Sequence, residues 1–274
     1  MDFTALVSTT EQLRAVLRKG DCISRVILDS SVSAPEDWAE AKEQAESSGK
    51  QVFFAFPPVF QEKARQYFLK TLPELRKAGF SGFLLRSLEE FAFVRESGLQ
   101  GICQADHSIY AFNSEAKHVL LSGGFDLLTL PLEHSSKDSR AMGAEGMELI
   151  VYGYIPMMVS HNCVHATLEG CDRKCRPLVL INRMSHEMRH VNDCRFCLST
   201  IYNCVPLYLL DCMDEIRALR PGSLRLSFTY ESGQEAEAVL RLANEAGKAF
   251  TAGLSGPAFM NGNYTRGHFR NSVE

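Results

Sequence analysis

Short runs of β-branched and aromatic residues recur along the chain, and between them lie longer stretches whose apolar positions return every three or four residues. Period-two runs suit strands and the longer period suits amphipathic helices. The pattern predicts strands at Ala5–Ser8, Arg25–Asp29, Gln51–Phe56, Gly82–Arg86, Gly101–Ala105, Leu127–Leu130, Glu148–Tyr152 and Leu224–Thr229. It predicts helices at Thr10–Arg18, Pro35–Ser48, Gln61–Ala78, Ser87–Ser97, Ser114–Leu121, Ser136–Met142 and Gly233–Gly247, several opening on a Ser or Thr that can cap the first turn. Eight strands, nearly all followed by a helix, give the count of an α/β fold of the (β/α)8, TIM-like barrel type, with an open doubly wound sheet as the competing arrangement. A single domain over residues 1–274 is expected. Only the seventh unit breaks the rhythm: residues 153–222 form a long excursion between strands seven and eight, on the face where barrel enzymes keep their chemistry.

That excursion is rich in cysteine. Six of the nine cysteines fall between Cys163 and Cys204, in the order Cys163, Cys171, Cys175, Cys194, Cys197 and Cys204. Four thiolates complete an iron–sulfur cluster, and zinc accepts the same four. Cys163, Cys171, Cys194 and Cys197 are the expected ligands, with Cys175 and Cys204 as alternates. The seven residues between Cys163 and Cys171 are unlike the paired Cys-x-x-Cys knuckles of a zinc ribbon, which favours a [4Fe–4S] cluster over zinc. Isolated buried cysteines behave as small hydrophobes, and that bland reading suits Cys22, Cys103 and Cys212. His161, His165, His186 and His190 lie in the same segment and read as hydrogen-bonding side chains. His186 and His190 stand four apart, yet their segment is not clearly helical, so no zinc-protease helix is expected.

Composition narrows the setting. With 274 residues and 45% hydrophobic content the chain can bury a large core. A net charge of -4 and the lack of a Lys/Arg block exclude broad, charge-driven nucleic-acid binding while leaving a local basic patch open. Asp2 stands where a signal peptide would carry positive charge, and the apolar stretches are broken by Gly153, Pro156 and Pro206. A cytoplasmic protein with reduced thiols and no membrane association is the expectation.

Residues just beyond the strand ends converge in a barrel. Asp29, Arg86, Asp106, His107, Glu133, Tyr152, Tyr230 and Glu231 occupy those positions. Arg86, His107, Glu133 and Glu231 are the candidate catalytic residues: Arg86 to clamp an anionic small molecule, His107 and Glu133 to exchange protons. Charged residues at strand ends also serve as caps or solvated rims, and no Gly-x-Ser-x-Gly nucleophile turn is present. The tail from Phe250 onward mixes glycine, aromatic and cationic residues and reads either as an ordered loop packed on the barrel or as a frayed end.

The run Glu148-Leu-Ile-Val-Tyr-Gly153-Tyr-Ile-Pro156-Met-Met-Val-Ser160, followed by Cys163, Cys171, Cys194-x-x-Cys197 and Ile201-Tyr202-Asn203, resembles peptidase family U32. Asp106-His107-Ser-Ile-Tyr110-Ala-Phe-Asn113-Ser114 and Tyr264-Thr-Arg-Gly-His268-Phe extend the resemblance over most of the chain, closest to the C-terminal half of long bacterial members. The resemblance implies a barrel-like fold and, in several branches, a four-cysteine [4Fe–4S] cluster supporting hydroxylation-type modification of RNA bases or of an aromatic quinone precursor. In other members it implies a collagenase-like peptidase. A third role is a non-catalytic module stapled by metal, and an N-terminal U32 domain or a partner protein is an expected companion. The chain departs from the family pattern in three places: Cys163 lies ten residues beyond Gly153, Asn182-Arg183 stands where Asp-Arg is usual, and Cys204 replaces a common serine.

Overall fold

The apolar runs pair side by side. In the computed structural model, which describes residues 2–168, 170–248 and 254–271, they form strands β1 (Asp2–Val7), β2 (Ile23–Asp29), β3 (Gln51–Ala55), β4 (Gly82–Leu85), β5 (Ile102–Ala105), β6 (Leu127–Leu128) and β7 (Glu148–Gly153). Helices α1 (Thr10–Lys19), α2 (Trp38–Ser47), α3 (Glu62–Lys70), α4 (Leu72–Ala78), α5 (Leu88–Glu96), α6 (Ser114–Ser122) and α7 (Ser136–Ala141) connect them. Between β7 and the last parallel strand come β8 (Pro156–Ser160), α8 (Val164–Leu168), β9 (Leu178–Ile181), β10 (Glu187–Asp193), β11 (Leu198–Tyr202), β12 (Leu207–Tyr208) and α9 (Met213–Leu219). Strand β13 (Ser223–Ser227) and helix α10 (Gly233–Lys248) close the series.

The main sheet has nine strands in the order β12-β7-β13-β1-β2-β3-β4-β5-β6, all parallel except β12, which runs antiparallel to β7. It curls until its ends meet: Thr129 and Glu148 form a parallel bridge, and the Leu130 N–H donates to the Glu148 carbonyl at 2.9 Å. Residues 156–202 build a second, antiparallel sheet in the order β8-β11-β10-β9. The expected helix over Gln61–Ala78 is two helices, because Pro73 cannot donate to the preceding turn and restarts the helix near its N-terminus.

Alternation along the parallel strands sorts the side chains. Phe3, Val26, Leu28, Phe54, Phe83 and Leu85 join the large core beneath the helices, while Leu6, Ile27, Phe53, Ala55 and Leu84 form a smaller buried cluster inside the curl. The inner positions also carry Thr4, Gln104, Thr129, Glu148 and Arg225, all buried. Buried polar groups of this kind are tolerated only when paired, and here they are: Thr4 Oγ1 donates to Glu148 Oε1 at 2.8 Å, and Gln104 Nε2 donates to Glu148 Oε2 at 2.7 Å.

The antiparallel sheet roofs one end of this curl. Phe196, 2% exposed, inserts beside Tyr67 and Phe68 of α3 with ring centroids at 5.3 and 5.9 Å. Arg195 donates from Nη1 to the Ser30 carbonyl at 2.6 Å and from Nη2 to Asp193 Oδ2 at 2.7 Å. The tail is ordered over residues 254–271: Ser136 N–H donates to the Phe269 carbonyl, and Thr265 pairs with β12. Residues 249–253, including Phe250, and 272–274 lie outside the described residues.

Candidate functional site

The inner polar positions of successive strands line up into a chain of charges that climbs to the roofed mouth. Arg225 pairs with Glu148 at 3.1 Å and with Asp106 above it. Asp106 faces Arg86 Nε at 3.5 Å, and Arg86 Nη1 donates to Asp29 Oδ2 at 3.0 Å and to the Phe56 carbonyl at 2.6 Å. Burial opposes the charge of Asp106, yet Arg225, His107 and Arg86 hold its carboxyl well below the usual range. Burial likewise opposes the charge of Arg86, and Asp29 and Asp106 override it, so the guanidinium stays protonated. Arg86 is therefore committed to internal carboxylates and presents no free fork of donors to an incoming anion.

The other expected mouth residues separate into two groups. His107, beside Asp106 with Nδ1 at 3.8 Å, is shifted towards the neutral imidazole by burial, and among the described residues its Nδ1 has no hydrogen-bond partner. Glu133 lies on that side and accepts from Tyr110 OH at 3.5 Å. Across the mouth, Glu231 is 3% exposed and accepts from Tyr152 OH at 2.8 Å and from the Thr229 N–H at 2.6 Å. Burial raises the Glu231 pKa, the condition for a carboxyl that can hold a proton near neutrality.

Glu231 borders a cleft of about 730 Å³ between the N-termini of α1 and α10 and the roof. Thr9 and Glu11 line it from α1, Ser232 and Glu235 from α10, and Val179, Glu187 and Arg189 from β9 and β10. Tyr154 and Tyr230 lie with ring centroids 4.5 Å apart and planes inclined at 35°, Tyr202 meets Tyr230 edge-on at 5.6 Å, and the Arg189 guanidinium sits 5.1 Å above the Tyr230 ring. Cys204 lines this cleft.

Strand pairing places the cysteines on the far side of the roof. On β10, Glu187, Arg189, Val191 and Asp193 share one face, and His190 and Asn192 share the other with the following Cys194. Asn192 Nδ2 donates to Cys163 Sγ at 3.5 Å, and the Cys194 N–H donates to Cys175 Sγ at 3.3 Å. Burial, the hydrogen bond with Cys175 and the neighbouring Cys175, Cys163 and Cys171 push the Cys194 thiol up to about 12. Cys163, Cys171 and Cys175 thus all neighbour Cys194. Cys197 turns away at the hairpin, with φ of 56°, and its Sγ lies 3.2 Å from Lys63 Nζ of α3. As drawn, no three His, Cys, Asp or Glu side chains among the described residues stand in a metal-holding arrangement.

The segment His186-Glu187-Met188-Arg189-His190 matches the zinc-protease pattern letter for letter, but Glu187–His190 is strand, with His186 just ahead of it. At ~3.3 Å per residue two histidines four apart are about 13 Å apart along a strand, too far to share an ion. His190 is fully buried beside His165, ring centroids 6.4 Å apart, and among the described residues neither of its ring nitrogens has a hydrogen-bond partner.

The profile of Peptidase family U32 matches residues 25–256. The chain belongs to peptidase family U32. No curated protein matches it. Among solved structures, U32 similarity of fold extends at a distance to a chitinase from Rhizomucor miehei, 12% identical, covering 90% of this chain and 100% of that one with a TM-score of 0.45. The Bacillus cereus spore cortex-lytic enzyme is 8% identical over 89% of this chain and 74% of its own, TM-score 0.44. An uncharacterized B. cereus protein is 11% identical over 90% of this chain with a TM-score of 0.43, and the U32 chain spans 65% of that protein's length.

Several residues of the U32 mouth escaped the sequence reading. Arg225, Gln104 and Glu148 are polar residues at every second position of apolar strands, a signal that alternation offers. Glu187, Arg189 and Tyr154 reach the cleft only where the roof strands pair, and no local pattern announces them.

Proposed function

We propose that this U32 protein carries a [4Fe–4S] cluster on Cys163, Cys171, Cys175 and Cys194 and supports hydroxylation-type modification of a small aromatic acceptor bound under the roof. The single observation behind the reading is that Cys163, Cys171 and Cys175 all neighbour Cys194, with two of the sulfurs already receiving N–H donors. An all-sulfur donor set with N–H···S bonds fits iron–sulfur chemistry better than zinc, though zinc would accept the same thiols. Burial first, and then the neighbouring thiols, make Cys194 resist ionisation; a cationic core would offset both. Bound there, the cluster supplies one-electron transfer. The chain's own residues do the rest: the tyrosine corner holds an aromatic ring, Glu231 holds a proton at the cleft wall, and the roof excludes water. An acid-lined cleft disfavours the phosphate backbone of RNA, so of the two acceptors the family resemblance implies, the small one fits better.

The barrel reading belongs to the same proposal: one (β/α)8 domain over the whole chain, with residues 153–222 as its inserted, cluster-bearing roof, working in the reducing cytoplasm, where the thiols stay available. No helix among the described residues is long and apolar enough to cross a membrane. A U32 domain preceding this one in a longer chain would be its partner.

Anaerobic purification followed by iron and sulfide analysis and visible absorption tests the proposal. Wild type and the Cys197→Ser variant should both be coloured, with iron and sulfide in equal amounts, and Cys194→Ser and Cys175→Ser should lose both. A colourless wild type with every thiol titratable would overturn it.

The peptidase reading keeps one observation in its favour, the glutamate-rich cleft, which suits a basic peptide. Gelatin degradation that survives in Cys194→Ser and vanishes in Glu231→Gln would select it.

A further inference from the structure

Charge placement favours a cationic ligand over the anionic one expected from the sequence. Arg86 is neutralised by Asp29 and Asp106, and Arg225 by Asp106 and Glu148, all inside the curl. The charges that face the cleft are mostly acidic: Glu11, Glu187 and Glu235 against Arg189. The ring face of Tyr230 is the second feature. Tyr154 lies against it at a tilt of 35° and Tyr202 meets it edge-on, making an aromatic corner beside an acidic cavity. Such corners hold cations through the ring quadrupole. The cation now resting there is the chain's own Arg189, an exposed side chain reaching in from β10.

We infer that the cleft binds an organic cation, an ammonium or guanidinium group seated on Tyr230 between Glu187 and Glu235, with Arg189 as the internal group it displaces. The cleft is the one that seats the acceptor in the proposed function, so the inference bears on that ligand; it is independent of the cluster, because Cys163, Cys171, Cys175 and Cys194 do not line the cleft. Two sources carry this chemistry: a free polyamine and the basic side chain of a peptide.

Titration calorimetry on the intact protein distinguishes them, with spermidine and acetyl-Gly-Arg-Gly-amide as probes and the citrulline peptide as the uncharged control. Binding of either cation, with the citrulline peptide at least ~10-fold weaker, supports the site, and the tighter of the two probes names the source. Tyr230→Leu, which keeps the bulk and removes the ring, should weaken binding ~5-fold. Arg189→Gln should tighten it ~3-fold by vacating the ring, a gain that mere damage to the fold would not produce. No binding by either cation to both wild type and Arg189→Gln, or equal binding of the citrulline peptide, would overturn the inference. Loss of iron from the protein, the failure mode of the cluster proposal, is read separately and leaves this outcome unchanged.

Discussion

Glu90 shows how one carboxyl can set a pH limit on the fold. It is fully buried in the first turn of α5, accepts the Arg86 N–H at 2.7 Å through Oε2, and its Oε1 has no hydrogen-bond partner. Burial pushes its pKa up to about 8, and the Arg86 charge only partly offsets that. Between the ordinary carboxylate range and about 8 the unfolded chain releases this proton while the folded chain keeps it, so this group makes stability fall as pH rises through that window. Above about 8 the fall stops, because both states are ionised. Glu90→Gln keeps an acceptor for Arg86 and has no proton to lose. The variant should therefore lose less stability than wild type between pH 5 and 8. Its melting temperature should gain on wild type as pH rises across that span, by about 2–4 °C for each ~1 kcal/mol of a linkage that is at most ~1.4 kcal/mol per pH unit. A constant difference between the two proteins at every pH would remove Glu90 from this role.

At the scale of elements, the end of β7 is where strand meets roof. Gly153 has φ of +148°, and a Cβ there would lie 2.5 Å from the Ser227 carbonyl oxygen of β13. Backbone cannot yield as a side-chain tip can, so Gly153→Ala should cost about 1–3 kcal/mol, read from denaturant midpoints. An unchanged midpoint would show that β7 and β13 can separate at that level. The parallel strands were legible because each is a buried apolar run between helical stretches; Ser87 caps its helix as expected, while Thr9 and Ser135 cap theirs one residue ahead of the expected Thr10 and Ser136. The roof strands were not. Glu187–Asp193 mixes charged and apolar residues because one face lines a polar cleft and the other covers thiols, which blurs the period-two signal on which strand reading depends. The same blurring hid which cysteines lie beside Cys194. Cys-x-x-Cys spacing suggests that Cys194 and Cys197 act together, whereas the hairpin turn between β10 and β11 sends Cys197 towards Lys63 and leaves Cys175, nineteen residues earlier, against Cys194.

At the scale of the molecule, the antiparallel sheet borders the cleft on one face and the thiols around Cys194 on the other, and its seat on the curled parallel sheet positions both. The cleft takes Glu187, Arg189 and Val179 from the roof and Glu11, Tyr230, Glu231 and Glu235 from the barrel, so it exists only while the roof is seated. The seat rests on Phe196 between Tyr67 and Phe68, and on Arg195 at the Ser30 carbonyl. Truncating a buried phenylalanine costs about 3 kcal/mol or more. If that loss falls on the roof alone, Phe196→Ala should raise the opening of the roof roughly 100-fold. Hydrogen exchange reads this directly: amides of β10 and β11 should accelerate by about that factor, while those of β2 and β3, deep in the parallel sheet, keep their rates. Uniform acceleration of all four strands would mean that roof and barrel unfold as one body. Selective acceleration would make the roof a unit that can lift while the barrel stays folded, and it carries a further consequence. An organic cation bound on Tyr230 contacts both parts, so saturating the wild-type protein with the tighter of the two cationic probes should slow exchange in β10 and β11 and leave β2 and β3 untouched, linking occupancy of the cleft to the seating of the sheet that holds the thiols.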